Sequence, residues 1–146
     1  MEIRTRRMKP IALIVIAIGI ATATLPRAAD EQIDTVPATR AALAWLAIVD
    51  GGRYGQSWDS AAEVFRSGVP RAQWESMVGS LRAKVGTVQL RKVMSVQFVR
   101  DLPKAPPGEY VMIQYSTRFE NGQFTETVTP MHEKDGSWKV AGYYIK

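Results

Sequence analysis

Apolar and polar residues first alternate along this chain with the period of an α-helix. Between residues 37 and 85 the apolar residues recur every three to four positions, which predicts amphipathic helices. Gly51-Gly52 and Gly86 mark two of the helix ends. The pattern predicts three helices, over about 37–50, 54–66 and 70–85.

After Thr87 the spacing changes to the two-residue alternation of β-strands. Asn121-Gly122 is a strong hairpin signal, and the alternation is imperfect around Arg91-Lys92, where a bulge or strong bend is expected. Helices followed by consecutive antiparallel strands predict an α+β domain, with three N-terminal helices packed on one face of a curved four-stranded antiparallel sheet. The predicted strands cover about 88–100, 109–119, 123–133 and 137–146.

One carboxylate falls on the predicted core face of this sheet. If Asn121 and Gly122 are the two turn residues, Thr117 faces Glu126 and Tyr115 faces Val128, so Glu126 lies among apolar side chains. A buried carboxylate must be paired, hydrogen-bonded or neutral. Glu126 is therefore the first candidate for a functional residue.

Several interpretations of Glu126 remain open at this point. It is a structural acceptor for a backbone N–H or an arginine, with His132 at the strand end. Alternatively the sheet curls around a pocket, where Glu126 and Tyr115 bind a ligand, or Glu126 acts as acid or base while Tyr115 or His132 orients a substrate. A one-residue shift in register would send Glu126 and His132 to solvent. Tyr54 and Trp58, in a predicted core stripe, are further candidates to line a ligand site.

The N-terminus has the layout of a secretory signal. A cluster of four cations precedes residues 11–25, which carry no charge, and Ala21-Thr22-Ala23 fits a cleavage site. These fifteen uncharged residues are fewer than the roughly 20 apolar residues that a membrane-spanning helix needs. We therefore predict a signal peptide or short anchor at 1–23, a flexible tether at 24–36 and one domain at 37–146. The location is periplasmic or secreted, or anchored to the inner membrane through residues 1–25 if the signal is uncleaved.

The charge and the residue composition of the chain bear on whether it binds nucleic acid, a metal ion or a cofactor. The whole chain carries a net charge of +5, but without residues 1–23 it has 15 Lys/Arg against 13 Asp/Glu, which argues against nucleic acid. The cations Arg82, Lys84, Arg91 and Lys92 surround a predicted helix end, where cations are favoured anyway. The chain has no cysteine and one histidine, and it lacks any phosphate-binding motif. We therefore predict no metal and no cofactor.

Several stretches, taken together and in order, resemble the family known as domain of unknown function 4019. The resemblance covers about 40–146 and implies a compact, exported α+β domain with a cone-shaped fold similar to nuclear transport factor two-like or cystatin-like domains. It implies no activity. The stretches are AWLAIVDGGRYGQSWDSAAEVFR, VPRAQWESMVGSLRAKVG, GEYVMIQYSTRF, ETVTP and GSWKVAGYYIK.

Three functions follow as hypotheses. The first is a non-catalytic module of the bacterial envelope that binds an unknown protein or a small amphipathic ligand. The second is a small cone-fold enzyme, similar to an isomerase or hydratase, with Glu126 as acid or base. The third is a structural module that oligomerises, for example as a homodimer, through an open sheet edge or the outer sheet face.

Overall fold

The computed structural model describes residues 33–146 as four helices followed by four strands. The predicted signal segment at 1–23 and most of the predicted tether at 24–36 lie outside these residues. None of the helices in the described part is long and apolar enough to cross a bilayer. The elements are α1 Val36–Asp50, α2 Tyr54–Asp59, α3 Glu63–Gly68, α4 Arg71–Val85, β1 Val88–Arg100, β2 Glu109–Phe119, β3 Gly122–His132 and β4 Trp138–Ile145.

The predicted α+β class is confirmed. The strands form one antiparallel sheet in the order β1-β2-β3-β4, and the helices cover one side of it, here called the inner face. Alternate residues of β2 point to this face, since Val111, Ile113 and Tyr115 are buried while the residues between them are partly exposed. The core lies between these strands and the apolar sides of α1 and α4. Its driving force is the removal of apolar surface from water.

The single helix predicted over 54–66 is wrong, because the chain breaks there into α2 and α3. Ala62 has the extended conformation φ −60°, ψ 153°, and its N–H donates to the carbonyl oxygen of Val140 at 2.8 Å. The N–H of Ala62 therefore bonds to β4 instead of to a carbonyl oxygen of the preceding helical turn. Periodicity alone could not reveal it, because Ala61 and Ala62 are buried in either arrangement.

Around Arg91-Lys92, where a bulge or strong bend was predicted, the pairing is regular, and an irregularity lies on either side of that pair instead. The pairing of β1 with β2 shifts between Val88 and Leu90 and again between Val93 and Ser95. Val93 lies opposite the buried Tyr115 and Val96 opposite the buried Ile113, so both are on the inner side, and Met94 is the extra residue at the second shift. β1 therefore presents an apolar row toward the helix side of the sheet.

The predicted register of the β2–β3 hairpin is wrong by two residues. Phe119 pairs with Gly122, so that Glu120 and Asn121 form the turn, and Tyr115 faces Glu126. The end of α4 holds this turn: Asn121 N–H donates to Val85 O at 2.9 Å and its side-chain amide donates to Lys84 O at 3.0 Å. Because the error is an even number of residues, Glu126 stays on the inner face as predicted.

Candidate functional site

Glu126 is fully buried in the middle of β3, with 0% of its surface exposed. Arg91 donates to both of its oxygens, from Nε to Oε2 at 2.7 Å and from Nη2 to Oε1 at 3.2 Å. Thr117 Oγ1 donates to Oε2 at 2.5 Å, and the Tyr143 hydroxyl donates to Oε1 at 2.7 Å. Each carboxylate oxygen therefore has at least two donors.

A second acid and a second arginine complete this cluster. Arg91 also bonds Asp50, from Nη1 to Oδ2 at 2.8 Å and from Nη2 to Oδ1 at 3.0 Å. Arg82 bonds Asp50 Oδ1 through Nη2 and approaches Glu126 Oε1 through Nη1 at 3.5 Å. Two carboxylates and two guanidinium groups balance in charge. We call this set the Glu126 network: Asp50, Arg82, Arg91, Thr117, Glu126 and Tyr143.

Six different elements supply the six residues of the Glu126 network. Asp50 is the last residue of α1 and Arg82 lies in the last turn of α4, while each of the four strands provides one residue. The network therefore ties both long helices to every strand of the sheet. Side chains that converge from so many elements make a rigid junction once all their hydrogen bonds are satisfied.

Burial and the neighbouring charges of the network shift the pKa values of Asp50, Arg91 and Tyr143. Burial alone would raise the pKa of Asp50, but hydrogen bonds and charges from Arg91 and Arg82 hold that pKa below its ordinary value. Burial, the charge of Glu126 and the hydrogen bond to Glu126 raise the pKa of the Tyr143 hydroxyl. Burial would lower the pKa of Arg91, but Asp50 and Glu126 raise it. Arg91 thus stays charged and Tyr143 stays a donor across the ordinary pH range.

The lowered pKa of Asp50 predicts a loss of stability in acid. Its ion pairs favour the folded state wherever the carboxyl is ionised in both states, that is above the unfolded pKa of about 3.9. The contribution, on the order of 1 kcal/mol for a partly exposed group, is lost as pH falls through the lower folded pKa. We expect the free energy of unfolding of the protein and of Asp50→Asn, measured by urea titration from pH 7 to pH 2.5, to converge below pH 4. A constant difference at every pH would contradict this assignment.

Tyr115 lies directly across from Glu126 but does not bond to it. Its hydroxyl is buried and has no hydrogen-bond partner in the described structure. Burial raises the pKa of Tyr115 to about 12, with Arg91 opposing the rise and Glu126 adding to it. The structure therefore brings these two predicted site residues together, with the hydroxyl of Tyr115 left outside the hydrogen bonds of the network.

His132 is at the far end of β3, six residues or about 20 Å from Glu126 along the strand. Its Nδ1 lies 3.0 Å from Glu109 Oε2, its Nε2 lies 3.3 Å from Gly136 O, and its ring stacks on Trp138. It borders an open groove of about 780 Å³ between α3, the Pro106-Pro107 loop and the β3–β4 turn. The structure thus does not join His132 to Glu126.

Tyr54 and Trp58 are separated although they share α2. Tyr54 lines a cleft of about 300 Å³ above the network, together with Asp50 and Arg82. Trp58 is half-buried at the margin of the core, where its Nε1 donates to Val69 O at 2.8 Å. Of the predicted ligand-binding residues, Tyr54 therefore borders the same junction as Glu126, and Trp58 supports α3 and the loop that follows.

Asp50 and the roles of Arg82 and Arg91 were not predicted from the sequence, where the two arginines were attributed to the favourable position of cations at a helix end. One signal was present in the sequence. Asp50 ends a helix, where the helix dipole disfavours an acid unless cations are close. No three side chains among His, Asp and Glu of residues 33–146 are grouped as metal ligands would be.

A second candidate site is an apolar surface beside the network. Six of the eight large hydrophobic side chains that are exposed in the described residues lie on α1 or β1. On α1, Val36 and Leu43 precede Asp50 at seven-residue spacing, so the three follow one line of the helix. At the C-terminal end of this line, Asp50 reaches Arg91 on β1. We use the name α1–β1 groove for the apolar side chains of α1 and β1 that are exposed or partly exposed on this side of the sheet: Val36, Leu43, Val93, Met94, Val96 and Phe98.

The Glu126 network closes one end of the α1–β1 groove. The helices pack over β2, β3 and β4, and they leave much of the inner face of β1 uncovered. Val93 is 52% exposed although it lies on the side of the sheet that elsewhere forms the core, and its neighbour Met94 is 61% exposed. Apolar surface gathered in one strip is typical of a site where a partner binds.

Comparison with known proteins places the chain in a family. No curated protein matches its sequence. A solved structure from Catenulispora acidiphila is similar to it over 75% of this chain and 88% of that one, with 10% sequence identity and a TM-score of 0.49. The family model described as "Protein of unknown function (DUF4019)" matches residues 41–143, which confirms the resemblance, and the chain belongs to this family.

Proposed function

We propose that this chain is an exported, non-catalytic module that binds a protein partner in the bacterial envelope. The observation that carries the proposal is the α1–β1 groove, a strip of exposed apolar side chains on the helix-facing side of β1. An apolar strip bounded by polar residues is the usual anatomy of a protein interface.

The state of Glu126 supports a non-catalytic role. A general base must come within hydrogen-bond reach of the proton that it removes. Both oxygens of Glu126 are already held by Arg91, by Thr117 and by Tyr143, and the side chain is sealed from solvent. A substrate would have to displace two or more of these bonds before reaching the carboxylate.

Export is supported by the sequence of residues 1–25, with its basic start, its uncharged apolar run and its Ala-Thr-Ala cleavage pattern. The absence of cysteine in the whole chain means that the domain needs no disulfide in an oxidising compartment.

Site-specific photo-crosslinking in the expressing bacterium tests this function. A photoreactive amino acid at Met94 should capture a defined protein, whereas the same group at Met77 on α4 should not. Met77 is a matched control, because it is 55% exposed and lies outside the groove. The mass of the mature protein from the same cells tests export, with Thr24 expected as its first residue. Equal capture at both positions, or none at Met94, would contradict the binding role.

A further inference from the structure

We propose that the open groove beside α3 is a binding site for a small amphipathic carboxylate. The groove lies between α3, the Pro106-Pro107 loop and the β3–β4 turn, and its volume is about 780 Å³. Sites for small ligands usually measure about 300–1,000 Å³. We call this surface the α3 groove. None of the residues that line it belongs to the α1–β1 groove, so the inference goes beyond the proposed function and does not depend on it.

Apolar side chains line much of the α3 groove. They come from Val64 on α3, from Pro106 and Pro107 in the loop and from Met131 on β3. Val64 and Pro106 also line a neighbouring cavity of about 260 Å³, whose other lining residues are largely apolar. An alkyl chain or an aromatic ring that lies along these side chains is removed from water, which favours binding.

Arg66 supplies the polar end of the site. Its Nε is buried and has no hydrogen-bond partner among the described residues, although the side chain as a whole is only partly buried. A buried donor without an acceptor is unfavourable and uncommon in folded proteins. A carboxylate accepts from Nε and from a terminal nitrogen of one guanidinium group at the same time, so a ligand of this class can supply the missing acceptor.

Most of the acids in the α3 groove already have a partner of their own. Glu133 Oε1 accepts from the first N–H of α3 at 3.2 Å, and Asp135 Oδ1 accepts from the N–H two residues later at 2.9 Å. Glu109 Oε2 lies 3.0 Å from His132 Nδ1. Glu63, the remaining acid, is exposed at the start of α3. None of these carboxylates is paired with an arginine or a lysine of the groove in the described structure.

The cations of the α3 groove lack such partners. Three of them form no ion pair within residues 33–146: Arg66, Lys134 and Lys139. An anionic headgroup therefore meets positive charge that no carboxylate of the described part neutralises by direct contact. A cationic or uncharged headgroup would leave Nε of Arg66 without a strong acceptor, so the groove favours an acid with an apolar body.

Calorimetric titration of the full chain with decanoate tests the site. We expect saturable binding of one decanoate per chain. Decanamide has the same alkyl chain without the charge, and it should bind at least tenfold more weakly. Octanoate should also bind about tenfold more weakly than decanoate, because two methylene groups fewer are removed from water.

Two arginine variants locate the headgroup. Arg66→Gln should weaken decanoate binding at least tenfold and leave decanamide binding unchanged. Arg53→Gln is the matched control, since Arg53 is an exposed arginine near another helix start and does not line the groove. Because Arg66 makes no ion pair in the described part, Arg66→Gln should keep the urea midpoint of the unmodified chain. Lys139→Gln, at the other free cation that is partly buried, should weaken decanoate binding about threefold and provides a second measure of the site.

The side chain of Arg66 gives a direct readout of the headgroup. The Nε–H signal of Arg66, observed by nitrogen-15 NMR and assigned with Arg66→Gln, should shift on addition of decanoate and stay in place with decanamide. That of Arg53 should stay in place with both.

Several outcomes would overturn the inference: no saturable binding of decanoate, equal binding of decanoate and decanamide, or binding that Arg66→Gln does not change. Met94→Ser distinguishes the two surfaces of the protein. If Met94→Ser weakens decanoate binding and Arg66→Gln does not, decanoate lies on the α1–β1 groove and the α3 groove is excluded as its site. The protein-binding function would still be decided separately, by photo-crosslinking at position 94.

Discussion

Replacing Glu126 with glutamine should lower the free energy of unfolding by about 3–5 kcal/mol, because two buried guanidinium groups are then left with a single carboxylate, that of Asp50. Arg91 is only 13% exposed and Arg82 only 7%, so neither can recover its hydration easily. In a domain of this size the melting temperature should fall by roughly 10–20 °C. Urea titration followed by circular dichroism measures the loss.

Glu109→Gln is the matched control for that experiment. Glu109 is also a strand carboxylate near an arginine and a histidine, but its side chain is 40% exposed. Exposed pairs contribute about 0–1 kcal/mol, so Glu109→Gln should change stability little. An equal effect of the two substitutions would contradict the structural role of Glu126, as would a stable Glu126→Gln protein that has lost binding to its partner.

The pair of Glu126 and Arg91 can be tested as a unit. The double variant Arg91→Met, Glu126→Met removes both charges and leaves Asp50 paired with Arg82. Because apolar side chains of similar volume often replace a buried ion pair at little cost, the double variant should be more stable than either single variant. Additive losses would mean that the two side chains do not depend on each other.

The strands, and the face of the sheet on which Glu126 lies, could be predicted because both depend on the local alternation of apolar and polar residues. β2 begins and ends at the predicted residues, and the error in register left every side chain on its predicted face. The correct turn could not be found locally, because Asn121 is held by carbonyl groups at the end of α4. The break between α2 and α3 has the same origin, since it depends on a hydrogen bond from Ala62 to β4.

The partners of Glu126 could not be predicted for a related reason. The sequence required that a buried carboxylate find donors, but it did not identify them. Asp50 and Arg82 lie 76 and 44 residues away in the chain, so their approach is set by how α1 and α4 pack on the sheet. A cation near a helix C-terminus is favoured by the helix dipole. This local explanation was sufficient for Arg82, so the sequence provided no reason to look for its carboxylate partners.

The Glu126 network and the α1–β1 groove are parts of one arrangement. Asp50 ends the line of α1 residues that includes Val36 and Leu43, and its bonds to Arg91 fix the distance between α1 and β1. The width of the groove therefore depends on the network. A weakened network should loosen this apolar surface as well as the fold, although Glu126 itself is fully buried.

Trp45→Ala should also lower the free energy of unfolding by about 3–5 kcal/mol, for reasons of packing rather than charge. Trp45 is 3% exposed, and its ring contacts those of Phe65, Trp74 and Tyr143, with centroids 5.3–6.4 Å apart. Its Nε1 donates to Ser57 O at 2.8 Å, and removing it leaves that buried carbonyl without this donor. The loss should be followed by circular dichroism, because the substitution also removes a fluorophore.

Trp58→Ala is the matched comparison for Trp45→Ala, because the indoles of Trp58 and Trp45 each donate a hydrogen bond of 2.8 Å to a backbone carbonyl. Trp58 packs against the margin of the core and remains partly exposed, so water can fill part of the space that it leaves. We expect its removal to cost about 1–3 kcal/mol, less than removal of Trp45. If the two variants lose the same stability, the core does not centre on the aromatic cluster of Trp45. In that case the stability of the helix layer depends equally on the contact between α2 and the loop after α3.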